Sequence, residues 1–133
     1  MYQKALMEFI KEFLTPNQRF YKTSHTDIYY LTETLDRVFR RFLGAHEPLT
    51  EEMVINAFHL NGFKIKEFPS EFRLKDDKME PMLYVGVLAK EVVPLRAILG
   101  VLPERTSAET RAQYTHLERR LAIFRKNLSL NSI

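Results

Sequence analysis

Apolar residues recur on one helical face at the start of the chain: Leu6, Phe9, Ile10, Phe13 and Leu14, with Lys4, Glu8, Lys11 and Glu12 between them. This spacing predicts an amphipathic helix over residues 1–14. Pro16 ends it, because the residue before a proline is pushed out of the helical region. Residues 17–23 read as a connecting loop. A second helix is predicted from Ile28, Leu31, Leu35, Val38 and Phe42, with Ser24 and Asp27 as a capping pair ahead of it and Gly44 as its stop. A third opens on Thr50 as N-cap, sets Glu51 and Glu52 against the positive end of the helix dipole, and runs through Met53, Ala57, Phe58 and Leu60 to Gly62.

After Gly62 the period changes from helical to alternating. Phe63 and Ile65 are set against Lys64 and Lys66, then Phe72 and Leu74 against Arg73 and Lys75. Two short strands separated by Pro69 are expected, with a turn at Asp76, Asp77 and Lys78 leading to a third strand over residues 82–87. Residues 89–99 read as a helix in which Pro94 either makes a kink or marks a start. The last helix is announced by Thr106-Ser107-Ala108-Glu109 as a capping box and carries Tyr114, Leu117, Leu121, Phe124 and Leu128 on one stripe. The end of the chain, 129–133, is expected to fray. Together these elements predict an α+β fold, mainly helical with four to five helices, and a small antiparallel sheet of two or three strands formed by residues 63–87. Residues 1–133 are expected to form a single globular domain.

Composition supports that size of fold. The chain has 133 residues, 45% hydrophobic and 28% charged, and a soluble domain of this length buries roughly two-thirds of its unfolded surface. Zero cysteines exclude a disulfide framework and cysteine-based zinc sites, and a reducing cytoplasm is the favoured compartment. Glu8, Lys11 and Glu12 break the apolar run a signal peptide needs, and Lys90, Glu91 and Arg96 interrupt the apolar residues 81–103, so no membrane contact is expected. Gly44, Gly62 and Gly100 fall at element ends, which leaves no glycine-rich phosphate loop and removes the commonest nucleotide cofactor motifs.

Catalytic and metal chemistry find little support. The four histidines, His25, His46, His59 and His116, sit on separate predicted elements, and the nearest grouping, Glu52 with His59, falls short of the three protein ligands a catalytic zinc takes. Glu8 with Glu12, Glu51 with Glu52, and Asp76 with Asp77 each have a structural explanation as helix-face, helix-start or turn residues. Ser24 beside His25 is adjacency in sequence only. No catalytic residue, metal site or cofactor is therefore expected, and the chain does not read as an enzyme.

Charge is distributed unevenly. The net charge is +3, from 20 Lys and Arg against 17 Asp and Glu. Residues 103–133 hold six basic residues, Arg105, Arg111, Arg119, Arg120, Arg125 and Lys126, against three acids, while residues 1–102 hold fourteen of each sign. Arg37 and Arg40 each have an acid four positions earlier, which leaves Arg41 without a local partner. The apolar stripe of the terminal helix can pack internally or pair with another helix, and its flanking cations Arg111, Arg119, Arg120, Arg125 and Lys126 are the first candidate interaction residues. The expected function is a non-catalytic binding module whose partner is a protein, including a second copy of the chain held through the terminal helix.

The alternative is a nucleic-acid-binding module. The second helix, third helix and following hairpin occur in an order similar to small winged-helix domains, with Lys64, Lys66, Arg73, Lys75 and Lys78 as candidate wing contacts. The likeness is one of layout, and the third helix offers only Asn56, His59 and Asn61 as a polar reading face. Tyr2, Phe20, Tyr21, Tyr29, Tyr30 and Tyr84 could stack on bases if exposed, or pack in the core.

Overall fold

A computed structural model describes residues 2–17, 26–75 and 78–131, with side chains described except at 68–75, 78–81 and 129–131. Among the described residues five helices and three strands run in the order α1 (Gln3–Phe13), β1 (Thr26–Asp27), α2 (Ile28–Phe42), α3 (Glu51–Leu60), β2 (Ile65–Lys75), β3 (Lys78–Val85), α4 (Ala89–Ala97) and α5 (Ala108–Asn131). The architecture is α+β and mainly helical, with the strands forming one antiparallel sheet in the order β1-β3-β2.

The first helix buries Leu6, Phe9, Ile10 and Phe13, the face its spacing predicts, and stops before Pro16. The second begins at Ile28, where Asp27 is the N-cap and its carboxylate accepts the Tyr30 N–H at 2.8 Å. Asp27 thus caps α2 through an N–H three residues ahead; Ser24, its expected companion in the capping pair, lies outside the described residues. In α3, Thr50 Oγ1 accepts the Met53 N–H at 3.2 Å. The far end of α3 closes through Gly62, whose φ is +80°. There Phe63 N–H donates to the Phe58 carbonyl at 3.0 Å and the two rings meet at 5.0 Å, a left-handed glycine stop sealed by an apolar contact. A Cβ at Gly62 would meet nothing within 4 Å, so the backbone angle alone sets the effect of a side chain there. Gly62→Ala is expected to lower stability by about 1–2 kcal/mol, measured by urea unfolding.

The sheet differs from expectation in two ways. Residues 65–75 form one strand, where two separated by Pro69 are predicted. Pro69 pairs with Pro81, and the register then slips before Leu74 pairs with Met79. A proline is tolerated because β2 is an edge strand, and the slip is a bulge in which four residues of β2 face one of β3. The second difference is β1, which joins from outside residues 63–87: Thr26 pairs with Val85 and Asp27 with Tyr84. The third strand ends at Val85. Beyond it, Gly86 N–H donates to the Lys64 carbonyl at 2.9 Å, and Val87 bridges back to Pro16. Asp76 and Asp77, the expected turn, lie outside the described residues.

Pro94 sits inside α4, five residues after its start, so the helix runs through it and the Lys90 carbonyl loses its usual N–H donor. Val92, Leu95 and Ile98 face the core, whereas Val93 and Val101 are exposed. For α5 the N-cap is Ser107, one residue later than the box predicts. Its Oγ accepts the Thr110 N–H at 3.1 Å, while Thr106 Oγ1 donates back to the Pro103 carbonyl. The helix is continuous to Asn131, so residues 129–131, expected to fray, are helical; Ser132 and Ile133 lie outside the described residues.

One cluster of buried apolar side chains draws on all five helices and on Val85 of β3. At its centre Phe9 stacks on Phe13 at 4.5 Å and meets the edges of Phe39 at 5.3 Å and Phe124 at 5.6 Å. Thr34 of α2 is fully buried within this cluster, and its hydroxyl has no hydrogen-bond partner among the described residues. An unpaired buried hydroxyl is a net cost. Thr34→Val removes it at nearly constant shape and is expected to raise the unfolding free energy by about 1 kcal/mol, read as a higher urea midpoint.

Candidate interaction surface

The terminal helix divides into two faces. Leu121 and Phe124 are buried in the core, and Tyr114, Leu117 and Leu128 pack partly buried against it. The apolar stripe thus lies on the chain's own interior, which leaves the opposite side for solvent.

The five cations of this helix do not act as one patch. Arg111 Nη2 donates to the Pro103 carbonyl at 2.9 Å, which ties the first turns of α5 to the preceding loop. Arg120 lies over the Phe13 ring, 4.4 Å from its centre, and donates to the Glu12 carbonyl at 3.3 Å. That contact satisfies an orphan carbonyl at the end of α1 and adds a cation–π attraction. Arg125 packs against Gly44, where an added Cβ would come within 2.9 Å of Nη2. Only Arg119 and Lys126 of the five are exposed with no ion pair or hydrogen bond among the described residues. They lie seven positions apart, two turns of the helix, with the 59% exposed Ile123 between them.

Beside this stripe lies a half-open cleft of about 210 Å³ between α4, α5 and the end of α1. Its apolar lining is Phe13, Pro94, Leu95, Tyr114 and Leu117. Its polar lining is Lys90, Glu91, Gln113, His116 and Arg120. Glu91 serves the fold itself, since its two carboxylate oxygens accept the Thr15 N–H at 2.9 Å and the Thr15 hydroxyl at 3.2 Å, holding the chain that leaves α1. Lys90 is exposed on the α4 side and makes no hydrogen bond or ion pair among the described residues. No sequence motif announces this cleft, because its lining comes from three elements far apart in the chain. The one local sign is Pro94, an apolar ring where a helix interior normally has none.

The other basic candidates stand elsewhere. Arg37 pairs with Glu33 at 2.9 Å and Arg40 with Asp36 at 3.2 Å, the helix pairs their spacing predicts. Arg41, without a local acid, donates to the Leu99 carbonyl at 2.6 Å. Lys64 and Lys66 are exposed at the start of β2, and Lys66 has a partner. The side chains of Arg73, Lys75 and Lys78 lie outside the described ones. The outward face of α3 presents Glu52, Asn56 and His59, with Leu60 61% exposed. Asn61 instead turns inward and donates to the Met7 and Ala57 carbonyls.

Tyr29 is exposed, whereas Tyr2, Tyr30 and Tyr84 are half-buried; Phe20, Tyr21, Ser24 and His25 lie outside the described residues. Among the described residues, no three His, Asp or Glu side chains converge as a metal site, and no helix is long and apolar enough to cross a membrane. Comparison with protein-family models, curated protein sequences and solved structures finds no match to this chain.

Proposed function

We propose that the chain is a non-catalytic binding module of the cytoplasm whose partner is another protein. The observation that carries this reading is the division of α5. Its apolar stripe is occupied by the chain's own core, while Arg119, Ile123 and Lys126 form an outward stripe of an exposed branched side chain between two cations. Arginine beside exposed apolar surface is the composition protein interfaces favour. The adjoining cleft supports a binding role over a catalytic one: at about 210 Å³ it is smaller than the roughly 300–1,000 Å³ of small-molecule sites, and its one carboxylate is held by Thr15.

A second reading, a nucleic-acid-binding module of winged-helix-like layout, is favoured by one observation. The order α2, α3, β2, β3 is kept, and β1 completes a three-stranded sheet behind it. Charge weighs against it. Phosphate contacts dominate nucleic-acid affinity, yet α3 opens on Glu51 and Glu52, and Arg37 and Arg40 are paired with acids.

Photo-crosslinking separates the two. With p-benzoylphenylalanine in place of Arg119 or of Asn56, in cells that make the chain natively, a discrete protein adduct is expected from position 119 and none from position 56. No protein adduct from position 119 overturns the reading, as does a nucleic-acid adduct from position 56. An adduct of twice the chain's mass identifies a second copy as the partner. Anisotropy of a labelled duplex bears on the second reading: no binding even at low ionic strength removes it.

A further inference from the structure

Resting on that reading, we propose that the cleft between α4 and α5 seats one apolar side chain of a short acidic segment of the partner protein. The floor is apolar on both walls, with Pro94 and Leu95 from α4 facing Tyr114 and Leu117 from α5, and Phe13 between them. Tyr114 and Leu117 are only partly buried by the chain itself, so a side chain entering the cleft removes further apolar surface from water. The volume suits a single anchor residue rather than a cofactor.

Charge around the cleft defines what flanks that anchor. Lys90 on the α4 side is an unpaired ammonium, and Arg120 on the α5 side uses one N–H on the Glu12 carbonyl, with its other donors left for a second acceptor. Glu91 is the one acid in the lining, and its oxygens are turned to Thr15. Arg119, the exposed neighbour of Arg120, adds a further cation on α5, with the exposed Glu118 beside it. Carboxylates on either side of the anchor therefore meet cations from two helices, and a basic segment is repelled.

The test is fluorescence anisotropy on the full chain with three labelled hexapeptides: Asp-Glu-Leu-Phe-Glu-Asp, its counterpart with all four acids replaced by lysine, and Asp-Glu-Ser-Ser-Glu-Asp. The first is expected to bind at least about tenfold more tightly than the other two. Lys90→Glu should weaken it by about threefold or more. Gln113→Trp, which places a ring at the mouth of the cleft, should weaken it further. Both variants alter exposed positions, and circular dichroism confirms that they fold. Equal or tighter binding of the lysine peptide, an unchanged affinity in both variants, or no binding of any peptide overturns the inference. A protein adduct from position 119 alongside any of those results leaves the protein-binding reading standing and removes the cleft alone.

Discussion

Phe9→Ala is expected to destabilise the fold by about 3–5 kcal/mol, the range for deleting a buried phenylalanine ring from a packed core. Phe9 is fully buried, and three other rings lie against it: Phe13 of the same helix, Phe39 of α2 and Phe124 of α5. Removing it takes away transfer free energy and three aromatic contacts at once. It also leaves a void between helices whose backbones are held by other contacts and cannot fully close. Since domains of this size are stable by about 5–15 kcal/mol, the variant should lose a large fraction of its stability. Urea unfolding followed by circular dichroism measures it, and a loss below about 1 kcal/mol would mean that the cluster is not the centre of the core.

A second large effect distinguishes the two faces of α5. Leu121 is fully buried and Ile123, two residues on, is 59% exposed. Leu121→Ala should therefore cost about 2–5 kcal/mol, while Ile123→Ala should change stability by no more than about 0.5 kcal/mol. The pair is informative because both are four-carbon aliphatic side chains inside one helix, so the contrast reports chiefly which of them is buried. Comparable losses at the two positions would contradict the inward packing of the α5 stripe.

Much of the helical framework is legible in the sequence because amphipathic spacing and end signals agree. Thr50 and Gly62 bracket α3 as their chemistry predicts, and the stripes of α1, α2 and α5 enter the core. What is hidden has physical reasons. Two residues of β1 are too few to show a period, and their partners, Val85 and Tyr84, lie far along the chain. Pro69 reads as a strand breaker until the strand order shows it on an edge. Two hydroxyls in succession, Thr106 and Ser107, offer equally good caps, and a local pattern cannot choose between them. The cations of α5 are legible as a cluster. Their separation is not, because Phe13 and Gly44, against which Arg120 and Arg125 lie, come from distant turns of the fold, and the Pro103 carbonyl that holds Arg111 comes from a loop with no periodic signal.

Native-state hydrogen exchange at the amides of Leu117, Leu121 and Phe124 tests most directly whether the apolar stripe of α5 belongs to the chain's own core. These amides should open with free energies close to those of Leu35 and Val38 in α2, which line the same cluster. Their protection should not change when the chain is concentrated about a hundredfold, since packing within one chain is independent of concentration. Far weaker protection in α5 than in α2, or protection that grows with concentration, would contradict the account and show that the stripe is covered by a second copy instead.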